Sequence, residues 1–90
     1  MGFVYNLLII NLEGFHMKLS FSIHFQQAII ERNISIDHLK KTIREPDKSY
    51  DTFGERTVAK KKVSGKTLEV VYKRVDKNEY RIITAYYLLK

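Results

Sequence analysis

No cysteine occurs in the 90 residues, which removes disulfides, thiol nucleophiles and cysteine-based zinc sites together. The absence fits a reducing compartment, and a cytoplasmic location is expected. The four glycines stand apart from one another, so no glycine-rich loop is available to cradle a phosphate. The three histidines, His16, His24 and His38, have neither HxH nor HExxH spacing, and no acidic cluster accompanies them. No metal or other cofactor is expected. The apolar N-terminal run, Phe3 to Leu12, is about ten residues long, against roughly twenty for a membrane-spanning helix. It also lacks the basic flank and small-residue cleavage site of a secretory signal, so no membrane association is expected.

What the chain has is positive charge in one half. Lys and Arg number 16 against 10 Asp and Glu, a formal net charge of +6. From Asp47 to Lys90 the count is eleven against six, and from Met1 to Pro46 it is five against four. The excess rests on Arg56, Lys60, Lys61, Lys62, Lys66, Lys73, Arg74 and Arg81, within segments of β-like pattern. A basic sheet in a small domain points to a polyanionic partner, of which nucleic acid is the commonest. The competing explanation is a solvated lysine-rich surface that keeps the protein soluble.

Ninety residues make one domain, and a hydrophobic fraction of 44% suits a single modest core. So small a core leaves room for a partner or a homodimer interface to add stability. Residues 1–16 read as an extension or an extra strand, and residues 17–90 as a single domain. The N-terminal run is strand-like in Val4, Ile9 and Ile10, and it is expected to pack against something.

Ser22 is a plausible N-cap for a helix over about 23–33, with Phe25, Ala28 and Ile29 as its apolar stripe. Asn33 tolerates the left-handed conformation that ends helices. Ser35 caps a second helix, whose stripe is Ile36, Leu39 and Ile43 and whose first turn carries Asp37. Pro46, the only proline, ends the helical half. Beyond it the period changes to two. Strands are expected over 49–53, 56–63, 66–75 and 80–89, with Ser64-Gly65 as a two-residue hairpin turn. The fold class expected is therefore α+β, two N-terminal helices packed on a twisted antiparallel sheet of three to four strands.

Several strings carry a family resemblance. His24, then Glu31-Arg32-Asn33-Ile34-Ser35, forms an opening motif, and Glu45-Pro46-Asp47 closes the second helix. Val63-Ser64-Gly65, Leu68 to Tyr72, and Ile82 to Tyr86 follow in the strands. The chain resembles, over about Lys18 to Tyr87, a domain-of-unknown-function family of small bacterial and archaeal proteins. That family is similar to the RelE/ParE and BrnT toxins of type II toxin–antitoxin systems. The resemblance implies a RelE/ParE-like fold, RNA as a partner and a cognate antitoxin protein as another. RelE-like and BrnT-like toxins cleave RNA, whereas ParE-like members act on a topoisomerase without nuclease chemistry. No complete catalytic set of either nuclease type maps onto this sequence.

Metal-independent RNA cleavage needs a base for the 2′-hydroxyl, an acid for the leaving oxygen and cations for the charge gathering on phosphorus. His24 and Tyr86 are the acid–base candidates. Arg56, Lys60, Lys62 and Arg81 are the phosphate-binding candidates, since even-numbered positions of one strand share a face. Glu31 lies two helical turns from His24, about 10 Å by helix rise, too far for a direct dyad. Glu31 and Arg32 then have a structural or partner role, with a salt bridge to the sheet as one form of it. The plain alternatives are a packing or capping His24, an edge strand whose lysines block pairing, and tyrosines (Tyr72, Tyr80, Tyr86, Tyr87) that only pack. Two functions follow: a toxin-like RNA-binding protein acting as an endoribonuclease, or a non-catalytic basic module for nucleic acid or protein.

Overall fold

The computed structural model of the chain describes residues 5–12 and 15–88; expectations falling on residues 1–4, 13–14 and 89–90 lie outside them. Strand β1 (Tyr5–Leu12) pairs antiparallel with β2 (Phe15–Ser22) from Tyr5↔Ser22 to Leu12↔Phe15. Ser22 ends β2 and starts α1 (Ile23–Glu31) with no turn between, its hydroxyl accepting from the Phe25 amide at 3.1 Å. Asn33 adopts φ 54° and turns the chain into α2 (Ile36–Arg44). Ser35 caps that helix by accepting from the His38 amide at 3.3 Å. Then come β3 (Lys48–Thr52), a 3-10 turn (Phe53–Glu55), β4 (Arg56–Val63), β5 (Lys66–Arg74) and β6 (Glu79–Leu88).

The class is α+β, but the expected arrangement of three to four antiparallel strands behind two N-terminal helices is overturned. The sheet has six strands in the order β1-β2-β6-β5-β4-β3, and the helices follow β1 and β2. The sheet is mixed, because β2 lies parallel to β6 through Lys18↔Glu79, Leu19↔Tyr80 and Ser20↔Arg81. The RelE/ParE-like arrangement expected of the chain is not retained. The reason lies in β2. Its alternation is only Met17, Leu19 and Phe21, and it runs straight into a helix cap, so no turn residue marks it as a strand.

Met17, Leu19 and Phe21 face the same side as Leu68 and Val70 of β5 and Ile82 and Ala85 of β6, where both helices pack. Phe25 and Ala28 of α1 and Leu39 and Ile43 of α2 close this core. Among the described residues, no helix lies on the opposite sheet face. The period of two therefore sorts β4 cleanly: Ala59 and Val63 point to the helices, and Arg56, Lys60 and Lys62 point away.

The β4–β5 turn places Ser64 at φ 52° and Gly65 at φ 81°, the two positive values a type I′ hairpin requires. A Cβ on Gly65 would meet nothing within 4 Å, so only backbone strain opposes it. Gly65→Ala is expected to cost about 1 kcal/mol in a urea unfolding titration. No measurable change would show that the turn relaxes to another type.

Candidate nucleic-acid interface

Pairing registers build the open face from four strands. Across it run Lys48 and Lys60 beside Glu69 and Tyr86, then Tyr50 and Val58 beside Val71 and Thr84, then Thr52 and Arg56 beside Lys73 and Arg81. Lys62 extends the face towards the hairpin, opposite Thr67. The structure thus brings Arg56, Lys60, Lys62 and Arg81 onto one surface and adds Lys73, counted above only in the basic excess, and Lys48, which the sequence reading had not grouped with them. Lys48, Lys60, Lys62, Thr67 and Asp47 line a shallow cavity of about 310 Å³ on it.

The cations differ in how far they are compensated. Lys60 lies 3.7 Å from Glu69, and Lys73 lies 3.9 Å from Glu55. Arg56 and Lys62 make no side-chain ion pair or hydrogen bond among the described residues. Arg81 is half-buried, with its Nε enclosed. Asp47 at the rim is held ionised: the Lys62 backbone N–H donates to it at 2.9 Å and lowers its pKa, aided by the Lys61 ammonium. Lys61 itself turns to the helix side and donates to the Glu45 carbonyl at 2.8 Å, tying the end of α2 to β4.

Two aromatics at this edge are exposed, Tyr50 on the open face by its pairing with Val58 and Phe53 in the turn that follows β3. Tyr50 on edge strand β3 is 53% exposed and Phe53 in the 3-10 turn is 92% exposed. Rings set among cations are what base stacking on a backbone-binding groove needs. The sequence reading considered Tyr72, Tyr80, Tyr86 and Tyr87 and did not single out these two. The signal was a short strand before Gly54, at an edge with every residue exposed.

The expected acid–base pair is not assembled. Tyr86 points from the open face, where its hydroxyl donates to Glu69 Oε2 at 2.6 Å. That bond, with burial second, raises the tyrosine's pKa and holds its proton. His24 is exposed on α1, which packs on the opposite sheet face, and no contact joins the two. Glu31 is exposed without a partner among the described residues. Arg32 does hold the sheet, but by hydrogen bonds in place of a salt bridge. Its Nη1 donates to the Ala85 carbonyl at 2.9 Å and approaches Thr84 Oγ1 at 3.5 Å, on the edge of β6 beyond its pairing with β2. Tyr72 and Tyr80 stack edge to face at 5.5 Å on the core side.

A larger cavity, about 440 Å³, opens on the helix side of the hairpin between the α1–α2 loop, α2 and the end of β6. Within it His38 Nδ1 lies 3.2 Å from Tyr87 Oη, and the Lys66 ammonium sits 5.3 Å from the Tyr87 ring centre. Among the described residues, no group of three or more His, Cys, Asp or Glu side chains is placed to hold a metal ion. No helix among them is long and apolar enough to cross a membrane.

Fold and surface together define a small α+β domain with helices on one face of a mixed sheet and a basic, aromatic-bearing face left open. Residues 21–87 match the family model described as Domain of unknown function (DUF4258), and the chain belongs to that family. Neither the curated proteins nor the solved structures hold a match to it. Nothing in these comparisons links the chain to the RelE/ParE or BrnT toxins.

Proposed function

We propose that this protein is a toxin-like RNA-binding domain that lays single-stranded RNA across the open face of its sheet. The observation that carries the reading is the shared surface of Lys48, Arg56, Lys60, Lys62, Lys73 and Arg81, with exposed Tyr50 among them. Cations on neighbouring strands neutralise successive phosphates, and rings beside them take the bases without demanding a sequence. Cations also lie on the helix side of the sheet, Lys61 and Lys66 among them, so what marks the open face is their alignment across neighbouring strands. The acid at the centre of the face, Glu69, is already engaged by Lys60 and Tyr86.

The geometry supports binding more than cutting. His24 and Tyr86 lie on opposite faces, and a phenol that donates to a carboxylate gives up its proton reluctantly. Endoribonuclease activity within a toxin–antitoxin pair is the stronger form of the proposal, and the resemblance of the sequence motifs is its support.

The test is a long labelled RNA incubated with the protein in EDTA, at about 50 mM and 200 mM salt. Binding that falls steeply with salt, without cleavage, is the expected result, with a log–log slope near −0.7 per phosphate neutralised. Discrete cleavage in EDTA establishes the nuclease form. Absence of binding at the lower salt overturns the proposal.

A further inference from the structure

The larger cavity lies across the hairpin from the basic face and has no part in the reading above. Its lining carries three basic side chains, Arg32, His38 and Lys66, and no carboxylate. Lys60, Lys61 and Lys73, by contrast, each have an acid within 4 Å. Each of the three is positioned by a contact that leaves donors over. Arg32 spends Nη1 on the β6 edge and keeps the rest of its five-donor fork. Lys66 is held above the Tyr87 ring by a cation–π contact and has no ion pair among the described residues. His38 meets the Tyr87 hydroxyl through Nδ1, which leaves Nε2 for another partner.

We propose that this cavity is a binding site for a phosphate monoester, held by Arg32, Lys66 and His38. A phosphate monoester carries about −1.5 to −2 charge at neutral pH and presents three acceptor oxygens. Three basic side chains without an acid match that charge better than the single charge of a phosphodiester. The guanidinium fork suits two of the oxygens, and the ammonium acts as a point charge on the third. A volume of about 440 Å³ falls within the range of small-molecule sites and exceeds what a phosphate alone fills, so an attached sugar fits as well. Two sources share the chemistry: the phosphorylated end of an RNA, and a free mononucleotide. The first rests on the RNA reading above, and its route is short. Lys62 and Thr67 of the smaller cavity adjoin Val63 and Lys66 of the larger one along the same hairpin.

The test compares, by titration calorimetry, one short RNA with a 5′-phosphate, with a 3′-phosphate and with neither. Imidazole NMR spectra are recorded alongside, with adenosine monophosphate and with inorganic phosphate. One terminal phosphate is expected to tighten binding by roughly tenfold, a change of about 1.4 kcal/mol. Lys66→Ala and His38→Gln should each remove most of that gain. Lys66 is exposed, so its removal does not threaten the fold. Lys60→Ala/Lys62→Ala should weaken all three RNAs alike and leave their ratio intact. Adenosine monophosphate that moves the His38 resonances and spares His24 supports the site, with the mononucleotide as its source if the RNAs do not differ. If no RNA binds but the mononucleotide still moves His38, the site stands and the RNA reading falls. Equal affinities with an undisturbed His38, or a gain that survives both variants, overturn the proposal.

Discussion

Replacing Arg56, Lys60 and Lys62 together by alanine is expected to weaken binding of single-stranded RNA by roughly 100-fold near 0.1 M salt. The size follows from about 1 kcal/mol per phosphate contact, with 1.4 kcal/mol for each factor of ten. The slope of log affinity against log salt should also become shallower by about 2, at roughly 0.7 per lost contact on a single strand. The three residues do not contribute alike. Arg56 and Lys62 are uncompensated among the described residues, so each loses a phosphate contact and little else. Lys60 is paired with Glu69 at 3.7 Å, so its removal also bares a carboxylate beneath the RNA. Lys60→Ala should therefore cost more affinity than its own contact, although its ammonium is the most engaged of the three. The fold should tolerate the triple change within about 0.5 kcal/mol per site, as surface substitutions do. Lys41→Ala is the control, an exposed cation on α2 across the sheet. If it weakens binding as much as a residue of the open face, net charge alone does the binding and the interface is wrongly placed.

The phosphate-binding candidates were legible in the sequence because β-strand period is simple. Once Arg56 to Val63 reads as a strand, Arg56, Lys60 and Lys62 must share a face. Both helices were legible from Ser22, Ser35 and the spacing of Phe25 with Ala28 and of Leu39 with Ile43. What could not be read was long-range pairing. Nothing in the string Lys18-Leu19-Ser20 announces that it lies parallel to Glu79-Tyr80-Arg81, some sixty residues on. Parallel neighbours share no turn and no local signal. The same limit misplaced the acid–base pair. His24 and Tyr86 looked like partners by residue type, but only the sheet decides which face each occupies. His38 and Tyr87 meet at 3.2 Å although one reads as a helix surface position and the other as strand packing.

Leu19→Ala carries the largest stability effect expected, and it tests whether β2 belongs to the core. Leu19 is fully buried and pairs across the parallel junction with Tyr80, whose ring stacks on Tyr72. It precedes the residues matched by the family model, which begin at 21. Truncating a fully buried leucine removes its transfer free energy and leaves a cavity, together about 2–5 kcal/mol. A domain of this size has roughly 5–13 kcal/mol in total, so the loss is a large share of it. Urea unfolding should therefore show a lower midpoint with an unchanged slope, the sign of lost stability without a changed unfolded state. Ile30→Ala, at a residue 79% exposed on α1, should move the midpoint hardly at all. If Leu19→Ala costs no more than Ile30→Ala, β2 does not form with the rest of the sheet. The domain would then be held by the four strands from Lys48 onward, and the parallel pair with β6 would have to be given up.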